Sequence, residues 1–102
     1  MQSKGPAGLL KKGSSWLDAK AVFITRDDAL EFAAMALWRI SKKMRARQGE
    51  LGMSDVALAQ KAGVQRQTVA GIAMGTTWSD AVTLGRICFA LGLDLEVSAK
   101  DE

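Results

Sequence analysis

The chain of 102 residues has no histidine, no tyrosine, a single cysteine and a single proline. Without histidine there is no imidazole to serve as a general base or to complete a nucleophilic triad. One cysteine and no histidine also fall short of the usual zinc ligand sets. Cys88 has no partner for an internal disulfide, and its place on an apolar helical face predicts a buried, reduced thiol in a cytoplasmic setting. No run approaches the roughly 18 uninterrupted apolar residues of a membrane span, and the first residues lack the apolar core of a secretion signal. A glycine-rich phosphate loop is missing as well. The adjacent carboxylates Asp27 and Asp28 stand where a helix begins and suit its dipole rather than acid–base work. No enzymatic activity, metal or cofactor is expected.

What is present fits one domain with one modest core: 48% of residues are apolar. Residues 52–75, GMSDVALAQKAGVQRQTVAGIAMG, read as two short helices broken by a glycine. The first is expected from about Asp55 to Lys61 with Ser54 as its cap. Gly63 then supplies the turn, and the second helix runs from about Gln65 to Ala73 and ends at Gly75. Val56, Ala59, Val64, Val69 and Ile72 are the expected apolar positions. Two helices crossing steeply through small residues make a helix-turn-helix at 54–74, whose second helix is free to enter a DNA major groove. The same layout also serves as a plain helical hairpin without nucleic acid.

This stretch resembles the lambda-repressor-like (Cro/cI, or XRE) helix-turn-helix family. The residues that carry the resemblance are Leu58-Ala59, Ala62-Gly63-Val64, Thr68-Val69, Ile72 and Gly75, followed after a loop by DAVTLGRICFALGL, so that it spans about residues 37–97. The resemblance implies a mainly α fold, a bundle of about four helices that binds double-stranded DNA. It also implies base reading by the first residues of the recognition helix, here Arg66 and Gln67. Arginine can bond guanine O6 and N7 together, and glutamine can read adenine in the same bidentate way. Gln65, Thr76, Thr77 and Ser79 are expected against the phosphate backbone, with Thr68 facing inward and Trp78 plugging its loop. Three positions depart from the family pattern: Asp55 where a phosphate-donating glutamine is common, Gly71 at a usually polar reading position, and Ala73 in place of a glutamate.

Before this motif, residues 1–15 are rich in Gly, Ser and Lys and are expected to form a flexible arm, with the domain at 16–99. Ala21 to Thr25 suits a short strand. A helix capped by Thr25 should run to about Arg47, with Ala29, Ala33, Ala36, Leu37, Ile40 and Met44 as its apolar stripe, widened by Phe32. After the motif, Ser79 is expected to cap a helix from Asp80 to about Leu91. Leu93, Leu95 and Val97 then alternate with polar residues as a half-buried strand does. The expected bundle therefore carries short N- and C-terminal β-strands. The terminal strand resembles the antitoxin branch of the family, in which such a strand pairs across a dimer.

Net charge is +3, unevenly spread. Residues 1–51 hold ten Lys/Arg against Asp18, Asp27, Asp28, Glu31 and Glu50, and the densest cluster is Arg39, Lys42, Lys43, Arg45 and Arg47. That cluster suits either a phosphate-facing patch or a solvated helix end. The functional expectation is a cytoplasmic, nucleoid-associated transcriptional repressor that dimerises through Leu93, Leu95 and Val97. It would be the antitoxin of a toxin–antitoxin pair or a phage-type repressor. The competing reading is a protein-interaction module that has lost specific DNA binding.

Overall fold

A computed structural model describes residues 5–97. It is mainly helical: a 3-10 turn over Pro6–Leu9 precedes α1 (Asp28–Leu51), α2 (Asp55–Ala62), α3 (Arg66–Met74) and α4 (Ala81–Leu91). Each α-helix ends on a glycine in the left-handed region, Gly52, Gly63, Gly75 and Gly92 in turn, so the chain turns sharply four times without β-carbon strain. The main core gathers Met44 from α1, Leu58 from α2, Val69 and Ile72 from α3, and Leu84, Ile87 and Leu91 from α4. Val56, expected inside, is nearly half exposed; Leu58 takes the inward position.

Helix α1 differs from expectation at both ends and in its buried face. Thr25 Oγ1 accepts from the Asp27 backbone N–H at 3.2 Å, while the Asp27 carboxylate accepts from Leu30 N at 3.1 Å, so Asp27 is the cap. Gly49 stays helical and the turn falls at Gly52. The buried positions are Ala34, Ser41, Met44 and Gln48. Ala29, Phe32 and Ala33 face solvent instead. The stripe is rotated because a second, smaller core of Trp16, Ala21, Phe23 and Ala34 covers the first half of the helix.

That second core comes from the chain ahead of α1. Residues 5–15, expected within a flexible arm, lie against the domain; residues 1–4 fall outside the described residues. Pro6 is buried, Ala7 N donates to the Gly75 carbonyl at 2.8 Å, and Ile24 N donates to Leu9 O at 2.7 Å. The expected strand at 21–25 is reduced to one antiparallel bridge between Leu10 and Phe23. Trp16, 3% exposed, stands at the centre. Its Nε1 donates to Ser41 Oγ at 3.1 Å, and Trp38 Nε1 returns a bond to the Trp16 carbonyl at 2.9 Å. Phe23 meets its ring edge-on with centroids 6.0 Å apart, a favoured aromatic geometry.

Trp16 also touches the recognition motif. A β-carbon built on Gly75 would lie 2.3 Å from Trp16 Cδ2, and Gly75 has φ of +71°. The end of α3 thus needs a glycine twice over, for its backbone angle and for the indole beside it. At the other terminus, residues 93–97 have no regular secondary structure. Leu93 packs on the main core, whereas Leu95 and Val97 are 47% and 98% exposed. The expected C-terminal strand is therefore corrected to an irregular segment, since no strand occurs among the described residues for it to pair with. Residues 98–102 fall outside the described residues.

Gly75→Ala should lower the unfolding free energy by about 2–4 kcal/mol, combining left-handed strain with overpacking against Trp16. Gly63→Ala has the same backbone strain (φ +73°), but its β-carbon would meet only the Arg86 side chain at 3.5 Å. It should cost about 1 kcal/mol. Urea denaturation of the two variants checks the difference, and equal losses would remove the steric role of Trp16.

Candidate nucleic-acid interface

Helix α3 is amphipathic in a way that leaves one side free. Val69, Ile72 and Ala73 are 0%, 3% and 2% exposed, fixed in the main core. Gln65, Arg66 and Gln67 are all exposed at its start. Gln65 is the N-cap residue yet makes no side-chain cap bond, whereas Asp27, Ser54 and Asp80 each cap their helices. The first amides of α3 and the positive end of its dipole therefore face outward beside Arg66. Thr68 is half-buried.

The loop after α3 is held onto the helix. Thr76 N donates to the Gly71 carbonyl at 2.9 Å. A β-carbon on Gly71 would fall 2.3 Å from Thr77 Oγ1, so Gly71 is buried under the Thr77 side chain and is a packing position rather than a reading one. Thr76 and Thr77 remain exposed beside the exposed end of the helix, and Ser79 is half-buried. Asp80, not Ser79, caps α4, accepting from Thr83 N at 2.7 Å; that bond holds its carboxyl below the usual range. Trp78, expected to plug the loop, is 40% exposed.

At the start of α2, Asp55 does not stand as a bare negative charge. It is paired with Arg45 near the end of α1, and Gln48 Nε2 donates to the same carboxylate at 2.9 Å and to Met53 O at 3.3 Å. Arg45 Nη1 closes the network on Gln48 Oε1 at 3.0 Å. The hydrogen bonds from Arg45 and Gln48 hold the Asp55 carboxyl below its ordinary value, with a smaller pull from the Arg66 charge. Arg45 thus brings a half-exposed guanidinium to the corner where α2 and α3 begin. Sequence reasoning placed Arg45 only within the basic cluster and overlooked both its pairing with Asp55 and Gln48. The available signal was an acid opening α2 together with Arg45 and Gln48 three apart on α1.

The expected basic cluster is not gathered at that corner. Arg47 is committed elsewhere: its Nε donates to the Leu91 carbonyl at the end of α4 at 2.9 Å, and its Nη1 meets Glu50 at 3.0 Å. Arg39 and Lys43 are exposed beside a groove between α1 and α4. The physical reason is helical phase: α1 turns these three side chains away from the face that carries Arg45 and Gln48. Cys88 lines the same groove, and burial pushes its thiol up from the ordinary value. No group of three or more potential metal ligands occurs among the described residues, and no described helix is long and apolar enough to cross a membrane.

Four helices, a glycine turn between α2 and α3, and an outward-facing start of α3 define a helix-turn-helix protein. The helix-turn-helix family model matches residues 43–97, over half the chain, and the chain belongs to this Cro/cI-like (XRE) family of DNA-binding transcription regulators. No curated protein and no solved structure matches it.

The Arg45–Gln48–Asp55 network generates a pH prediction. Asp55 has a depressed carboxyl, so its contribution is present above the ordinary carboxylate value near 3.8. That contribution is lost as pH falls through the lower folded value. Asp55→Asn should cost about 1 kcal/mol at neutral pH, a magnitude limited by solvent screening of a partly exposed pair. The gap between wild type and variant should close in acid. Urea titrations across pH check this, and a gap that persists unchanged below about pH 3 would contradict it.

Proposed function

We propose that the chain is a sequence-specific transcriptional repressor that acts as a homodimer on a two-fold operator, in the cytoplasm on the nucleoid. We further assign it to the autoregulating antitoxins, with a toxin protein as second partner and no catalytic activity of its own. The observation that carries the DNA reading is the division of α3. Its inner side is locked by Val69, Ile72 and Ala73, while Arg66 and Gln67 are exposed at a helix start that has no side-chain cap. Those two side chains suit base edges; Gln65, Thr76, Thr77 and Ser79 suit the flanking phosphates.

Two departures from the family pattern, Asp55 and Gly71, would allow an interaction module without DNA binding, and each has a packing explanation. Asp55 is neutralised by Arg45, and Gly71 makes room for Thr77. Dimerisation through the terminal segment is supported by Leu95 and Val97, apolar side chains left exposed. The alternation of Leu93, Leu95 and Val97 with polar residues also favours the antitoxin assignment, because a strand from a second subunit would give it a partner.

Arg66→Ala should cost about 1–3 kcal/mol per half-site on the preferred operator and little on scrambled duplex, the signature of a lost base contact. Titration on both duplexes checks this. Equal losses on the two would make Arg66 a phosphate contact. Val97→Asp should shift the protein toward monomer in sedimentation at micromolar concentration; a wild type already monomeric there contradicts the dimer.

A further inference from the structure

The groove between α1 and α4 is not used by the DNA reading. It has a volume of about 320 Å³, at the lower end of the range in which small-molecule sites fall. Its walls are apolar: Ile40 and Met44 from α1, Ile87 and Leu91 from α4, with Leu93 and Leu95 closing one side. Its rim carries Arg39 and Lys43, with Asp94 the single opposing charge. Among the described residues neither cation takes part in an ion pair; the pairs are Arg45–Asp55 and Arg47–Glu50. A hydrocarbon slot ending at two cations four residues apart on one helix face is complementary to a molecule with an apolar body and an anionic head.

We propose that this groove binds a small amphiphilic carboxylate, with its chain along Ile40 and Leu93 over a floor that includes buried Met44 and Ile87, and its head group at Arg39 and Lys43. The apolar wall supplies affinity by removing the chain from water. The two cations select the head group by charge-assisted hydrogen bonds. Because Leu93 and Leu95 form one wall, a bound ligand would hold the terminal segment against α1. The binding step does not rest on the DNA reading, but it shares Leu93 and Leu95 with the proposed dimer contact.

The test uses the full chain with methyl-labelled methionine. Decanoate is titrated by calorimetry and followed by methyl spectra, with decanol and decylamine as probes of the head group. Saturable decanoate binding is expected, with Met44 shifting and Met74, which does not line the groove, unmoved. Arg39→Gln/Lys43→Gln should weaken decanoate about tenfold while leaving decanol unchanged. The proposal is overturned by any of three results. These are no saturable binding, equal decanoate affinity in the double variant, or tighter binding of decylamine than decanoate, which would make Asp94 the governing charge. A further arm addresses a second copy of this chain as the occupant. If decanoate binds only after Val97→Asp, which lies outside the groove lining, has made the protein monomeric, the groove is a subunit interface and not a ligand site.

Discussion

The indole of Trp16 rests against Gly75, and this contact links the chain before α1 to the end of the recognition helix. Burying a tryptophan at such a site is worth about 3–5 kcal/mol by the cost of truncating it, a large part of a small domain's stability. Its bonds with Ser41 and Trp38 anchor the ring to α1. The Ala7 to Gly75 hydrogen bond then holds the loop from the other side. The family match begins at residue 43, so the brace lies in a stretch outside it yet acts on a residue within it. An end of α3 fixed in this way, with a glycine turn at the other, leaves little freedom in how Arg66 and Gln67 are presented.

Electrostatics follow the same division of labour. Arg45 and Gln48 tie the start of α2 to α1 through Asp55, which both fixes the angle between those helices and removes a negative charge from the corner where α2 and α3 begin. Arg47 anchors the end of α4. Arg39, Lys42 and Lys43 of the expected cluster are left without ion pairs among the described residues; Lys42 lies over the Trp38 ring, and Arg39 and Lys43 border an apolar groove rather than the recognition helix.

The helix-turn-helix was legible because its signals are local: Ser54 as a cap, Gly63 and Gly75 as stops, and apolar residues at helical spacing between them. Those signals need no knowledge of the rest of the chain. The packing of residues 5–15 was not legible because it comes from partners distant in sequence, Gly75 for Ala7, Ile24 for Leu9 and Phe23 for Leu10, and not from a composition of Gly, Ser and Lys. The phase of α1 was misread for a related reason: Ser41 and Gln48 are polar, but each is buried against a specific partner, so a stripe drawn from apolar residues alone rotates toward Ala29 and Ala33. The alternation of Leu93, Leu95 and Val97 suggested a strand, but no strand lies among the described residues to pair with it. Of the candidate site, Arg66 and Gln67 were picked out by position along the motif and are exposed; Arg45 was picked out only as part of a basic cluster, because its pairing depends on a residue ten positions away.

The central claim is that α3 reads bases from a two-fold assembly. Selection of bound duplexes from a random pool tests it most directly. The account predicts enrichment of an inverted repeat with half-site centres about one helical turn, roughly 10–10.5 base pairs, or a multiple of it apart. A pool that stays random after selection, or one that enriches a single unrepeated site, would contradict it.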